Sequence, residues 1–196
     1  MRFLREYKIW IVAAVFCVSV SGQISVGKRN AVVETPKSKL FDAAKLLKDV
    51  EVLSADDMEG RAAERPVMSK ARDYVEKRFR ESGIQPFGTS FRQGFDIKSR
   101  APGDALKGVN FVGMIKGKKA ADKYIVITAH YDHDGIKAGE IYNGADDNAS
   151  GTAALFAIAS YFKKHQPDHS LILVAFDAEE KGLQGARHFV DNLPVK

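Results

Sequence analysis

Residues 124–151 read YIVITAHYDHDGIKAGEIYNGADDNASG: an apolar run, a cluster of histidine and aspartate, a glycine-punctuated loop, then two aspartates before a long apolar segment. The run at 124–129, with β-branched Val126, Ile127 and Thr128, predicts a central strand covered on both faces. From Asn148 or Ser150 to Lys164 the chain predicts a helix, apolar on most sides through Leu155, Phe156, Ile158, Tyr161 and Phe162. A second buried strand is expected at 171–176. Strand, helix, strand order predicts a parallel pair with a right-handed crossover. Ligands of such sheets gather at the carboxyl ends of the strands. His130 and Asp132 follow one such end and Glu179 and Glu180 the other, so both pairs are expected at one edge.

Those residue types suit metal-dependent hydrolysis. His130 and Asp132, two apart, share one side of an extended chain. A carboxylate on the second ring nitrogen fixes the tautomer of a metal-bound imidazole, although a structural His–Asp pair accounts for the spacing equally well. Asp147 sits at the mouth of the predicted helix, where the dipole favours an anion, and capping there falls to Asn148 or Ser150. Asp146 and Asp147 point to different sides, so one can face metal while the other braces the loop. Adjacent carboxylates such as Glu179 and Glu180 are costly after a buried strand unless a cation offsets them. A metal hydrolase uses such a pair, one carboxylate for the ion and one to take a proton from water. His133 is a rim candidate, whereas His165, His169 and His188 are expected on the surface. His165 and His169 are separated by Pro167 and lack the glutamate of a zinc-protease helix. No nucleophile elbow or phosphate loop is present.

At 196 residues, with 45% hydrophobic and 28% charged side chains, the composition is that of a globular protein with a sizeable core. Residues 1–22 combine basic Arg2, Arg5 and Lys8 with an apolar stretch and a small Ser21-Gly22 end, a signal peptide pattern that predicts a secreted or periplasmic chain. The remaining 27 basic and 24 acidic residues give +3, too small a surplus to suggest nucleic acid. Cys17, the only cysteine, lies in that leader, so the mature chain offers neither disulfides nor thiolate zinc ligands. Once the leader is cleaved, no membrane contact is expected. Residues 23–38 read as a linker, and 39–53 and 71–79 as amphipathic helices whose charges form solvated faces. Between them 54–65 is acidic and irregular, with Ser54 or Asp56 as a cap. Strands at 91–97 and 109–115 are expected to form a hairpin with a longer loop.

The stretches AHYDH (129–133), NGADDNASGTAAL (143–155) and FDAEEKGLQGA (176–186) resemble, in order, three motifs of the zinc exopeptidases that include aminopeptidase Y and secreted bacterial aminopeptidases. LSADDMEGR (53–61) with ARDYVEKRF (71–79) also resembles the front of secreted bacterial members. The resemblance implies a three-layer α/β/α sandwich around a mixed sheet, with residues 39–196 as metallopeptidase catalytic domain. It implies two zinc ions, with His130 on one, Glu180 on the other and Asp147 bridging them. Glu179 would be the general base and Asp132 the partner of His130. Peptide or protein N-termini would be the substrate. The family supplies a further carboxylate and a second histidine beyond these motifs, and residues up to 196 hold neither. On that pattern the domain is incomplete and by itself a poor enzyme. An inactive fragment or binding module, or a single-zinc glutaminyl cyclase on the same fold, stands beside the aminopeptidase reading.

Overall fold

A computed structural model describes residues 38–98 and 106–195. The predicted signal peptide with Cys17, most of the predicted linker and part of the hairpin loop lie outside them.

Among the described residues, four helices and seven strands follow in the order α1 (Ala43–Leu53), α2 (Met68–Glu81), β1 (Gln85–Pro86), β2 (Arg92–Ile97), β3 (Leu106–Ile115), β4 (Ala120–His130), β5 (Gly135–Lys137), β6 (Glu140–Tyr142), α3 (Ser150–Lys164), β7 (His169–Phe176) and α4 (Gln184–Asp191). The main sheet runs β1-β3-β7-β4, with β2 beside β1 on the same flank of β3. β3 is antiparallel to β2 and β7, whereas β4 runs parallel to β7 with His130 opposite Phe176, so the sheet is mixed. The hairpin and the parallel pair both follow the sequence pattern.

β7, not β4, is the fully covered strand. Ser170–Ala175 is wholly buried, while β4 is an edge strand among the described residues and leaves Ile125 40% exposed. Alternation along β7 divides the core into two layers. Leu171, Leu173 and Ala175 pack with Val75 and Phe79 of α2 and Leu155 and Phe156 of α3. Ile172 and Val174 face the other way, onto Val112 and Phe189 of α4. Helices therefore cover both faces, which is the expected three-layer sandwich.

The helices depart from expectation in two ways. α1 begins at Ala43, capped by the Asp42 side chain on Lys45 N, so Leu40 and Phe41 stay exposed. Their charges are not all solvated either. Asp49 is buried, accepts two hydrogen bonds from Arg78 at 2.7 and 2.9 Å, and takes a third from Tyr74 Oη at 2.6 Å. Helical spacing places an acid on one face but does not report whether another helix lies over it. Ser54 does act as a cap, at the C-terminus of α1.

Candidate metal centre

Three pieces of chain meet at the carboxyl ends of β4 and β7. β4 ends in His130 and runs on through buried Tyr131 and Asp132 to nearly buried His133. A hairpin, β5–β6, returns the chain to a single π-type turn, Ala145–Ala149, which carries Asp147 at the mouth of α3. Asn148 Oδ1 accepts from Gly151 N at 2.9 Å, taking the capping role and leaving the Asp147 carboxylate to the site. β7 then delivers the turn holding Glu179 and Glu180.

His130 Nε2 lies 3.1 Å from Asp147 Oδ1. On the opposite ring edge, Nδ1 lies 3.1 Å from the Asp132 backbone carbonyl but 3.6 Å from its carboxylate. The expected carboxylate-to-imidazole contact is thus made chiefly through the main chain. The Asp132 carboxylate instead accepts the backbone N–H groups of Glu179 and Glu180, at 3.0 and 3.2 Å. One buried aspartate therefore fixes the glutamate turn of β7 to the histidine end of β4. A second, Asp177, holds the same turn from behind through Arg72 at 2.9 Å, Val109 N at 2.9 Å and Tyr131 Oη at 3.1 Å. Burial pushes the Asp177 carboxyl up, and Asp132 adds to this, against the pull of Arg72.

The charge balance explains why a cation suits the place. Burial raises the Glu179 carboxyl; His130 lowers it, while Glu180, Asp132 and Asp147 push it further up. Burial disfavours a charged His130, yet Asp132, Glu179 and Asp147 outweigh it, and the imidazole pKa is raised. Carboxylates crowd a half-buried edge whose balancing positive charge would otherwise be protons. Imidazole nitrogen with carboxylate oxygen is also a zinc donor set, so the residues present fit the ion.

Two contributors were not legible in the pattern. His133, a rim candidate in sequence, is brought inside: Nδ1 lies 2.9 Å from Glu180 Oε1 and 3.9 Å from Asp147 Oδ2. Gly144 makes room for it, since a Cβ there would stand 2.5 Å from its ring. Arg61 closes a left-handed turn at Glu59–Arg61 and is wholly buried. Its guanidinium donates to Tyr131 O (2.8 Å), Asn143 O (2.6 Å), Gly144 O (2.8 Å) and Leu53 O. Its own carbonyl accepts from His133 N at 3.1 Å. Burial lowers its pKa to about 10 against the pull of Asp132 and Asp147, so it remains charged near neutrality. Gly60 is needed beside it: at φ +68° a Cβ would meet Tyr142 O at 2.3 Å. His165 and His169 stay on the surface, whereas half-buried His188 stacks on Phe95.

Residues 110–196 match peptidase family M28. Among curated relatives, a probable zinc metalloprotease of Pyrenophora tritici-repentis is 31% identical over 135 residues, covering 64% of this chain and 27% of that protein. Aminopeptidase YwaD of Bacillus subtilis is 39% identical over 88 residues, covering 44% of this chain and 18% of its own length. The chain thus spans 27% or less of these two relatives. Among solved structures, glutaminyl cyclase of Fimbriiglobus ruber superposes with a TM-score of 0.66 at 21% identity, over 81% of this chain and 60% of its own. That likeness concerns the fold. Over residues 110–196 the chain is therefore similar to metallopeptidases, the likeness that the three motifs suggested.

Proposed function

We propose that the protein is a zinc-dependent aminopeptidase that hydrolyses the first peptide bond of chains with a free amino terminus. The observation that carries it is the convergence of His130, Asp147 and the Glu179-Glu180 turn at one sheet edge, with His130 Nε2 3.1 Å from Asp147 Oδ1. The metallopeptidase family match supports it, as do the names of the relatives. In this reading His130 and Asp147 would hold one zinc and Asp147 and Glu180 the other, with residues 39–196 as catalytic domain. Zinc, when bound, supplies Lewis acidity, making water a nucleophile near neutral pH and polarising the carbonyl. Asp132 orients His130 and the glutamate turn. Glu179 receives the proton of the attacking water and passes it to the leaving amine.

A cyclase on this fold is the second reading, and the Fimbriiglobus ruber neighbour supports it for the fold alone. The position of Asp147, within reach of both His130 and His133, favours the two-ion hydrolase.

Glu179→Gln decides the role of the base. It removes a proton acceptor and no ligand, so zinc content should stay unchanged while release of residues from unblocked peptides falls about 10²-fold or more. A variant stripped of zinc, or one as fast as the parent, would rule out this assignment. We also infer export with cleavage after Gly22, from the charge and hydropathy pattern of residues 1–22. Mass spectrometry of exported protein should find Gln23 first, and an intact Met1 would contradict it.

A further inference from the structure

We propose that the end of the molecule opposite the candidate metal centre is a docking surface for anionic phospholipid bilayers, with Leu40 and Phe41 entering the lipid interface. This goes beyond the peptidase reading and does not depend on it. β4 starts at Ala120 and reaches the site at His130, so at about 3.3 Å per residue its far end lies roughly 30 Å away. The first turn of α3 adjoins Asp147, and its last carries Lys163 and Lys164, roughly 20 Å off at about 1.5 Å per residue. Lys118 N donates to Pro167 O at 2.9 Å and Lys119 N to Asp168 O at 3.1 Å, joining the turn before β4 to the loop after α3. Gln166 Nε2 adds a bond to Lys116 O at 3.2 Å. Five exposed lysines, Lys116, Lys118, Lys119, Lys163 and Lys164, are thus gathered at one end.

Asp168 is the acid among them, 2.9 Å from Lys119 and 3.7 Å from Lys118, so five lysines less one aspartate give the patch +4. All residues after the predicted leader together carry +3, which leaves the rest of that chain at −1. Lys163, Lys164 and Tyr161 share a recess of about 750 Å³ with Leu40 and Phe41. Those two apolar side chains are 64% and 43% exposed, and Lys39 and Lys45 flank them in sequence. Exposed apolar side chains among lysines match an anionic interface, where the bases meet headgroups and the apolar pair meets the acyl boundary. A soluble polyanion would meet the lysines but leave Leu40 and Phe41 without a partner. Among the described residues no helix is long and apolar enough to cross a membrane, so the contact is a surface one. Leader cleavage alone gave an expectation of no membrane contact; the folded placement of charge, which the total of +3 hides, argues the other way. Docked like this, the candidate metal centre faces away from the bilayer, toward peptides in water.

The test is flotation of the exported protein with vesicles of phosphatidylcholine alone, or of equal parts phosphatidylcholine and phosphatidylglycerol. The parent should bind only the mixed vesicles and leave them in about 1 M salt, where the screening length falls to about 3 Å. Lys118→Gln with Lys119→Gln, and Lys163→Gln with Lys164→Gln, should each weaken binding by more than about tenfold, since one lysine at such a surface contributes about fivefold. Lys137→Gln with Lys181→Gln removes the same charge at the site end, beyond the screening length, and should change binding by less than about twofold. All six side chains are exposed, and circular dichroism checks that the variants fold. Phe41→Trp reads insertion directly, because Trp10, in the predicted leader, is the only tryptophan of the parent. Its emission should shift to the blue on mixed vesicles. Equal binding to both vesicle types, binding to neither, or equal losses from lysines at the two ends would overturn the docking surface. Unshifted emission from vesicle-bound protein would overturn the insertion of Phe41. Retention on heparin at salt that releases the vesicles would make the partner a polyanionic polymer and overturn the membrane assignment.

Discussion

Asp147→Ala is expected to lose zinc from both positions and peptide release with it, while the metal-free protein stays folded. The carboxylate lies 3.1 Å from His130 Nε2 on one side and 3.9 Å from His133 Nδ1 on the other, so one side chain faces both histidines. Its side chain is 65% exposed, so its truncation removes little packing. Exposed substitutions of that sort usually change stability by no more than about 0.5 kcal/mol. Stability and metal binding should therefore separate cleanly. At zinc concentrations 100 times the dissociation constant, the parent should gain about 2.7 kcal/mol from binding. The variant should gain almost none, and its melting temperature should not respond to added zinc. Elemental analysis after dialysis should find well under one zinc per chain. A variant that still binds two zincs, or whose melting temperature still rises with zinc, would remove Asp147 from the shared position.

The parts of this molecule legible in sequence are those set by local period. The 124–129 and 171–176 runs became parallel neighbours, and the expected 91–97 strand has Phe91, Phe95 and Ile97 in the interior. Delivery of His130 and the glutamate pair to one edge followed from strand direction alone. What period does not encode is the number of neighbours a strand acquires. The apolar run of β4 suggested a central place; among the described residues β7 holds it, between β3 and β4. The β5–β6 hairpin escaped notice since its three-residue strands sit between Gly135 and Tyr142, where Gly135 and Gly139 read as loop punctuation. Buried charge was the harder blind spot. Asp49, Asp177 and Arg61 have the same local surroundings in sequence as solvated residues. Only chain brought from 25, 105 and 70 positions away reveals what each one binds. His133 belongs with these, since its partner Glu180 is 47 residues distant.

Arg61 offers the other large effect, because one side chain ties together three segments that carry the site. Its four carbonyl partners belong to the end of α1, to the residue between His130 and Asp132, and to the two residues that open the Asp147 loop. Arg61→Ala would leave those carbonyls without their donor in a space that water reaches poorly, at about 1–3 kcal/mol each. A loss on the order of 4 kcal/mol or more is expected, enough to unfold much of the chain at 37 °C. Arg61→Lys is the more informative variant. Lysine has three donors on one nitrogen rather than a planar fork, so it cannot reach four carbonyls in different directions. Burial that lowers arginine to about 10 leaves it charged. The same burial acting on a lysine, whose ordinary pKa is about 10.4, would carry it toward neutrality and discharge it. We therefore expect a folded lysine variant with a lower melting temperature and zinc binding weakened about tenfold or more when measured well below that temperature. Zinc titration beside thermal unfolding separates the two effects. Unchanged affinity in a destabilised variant would make Arg61 a fold residue only, and parental values in both would show that the loops hold their places without it.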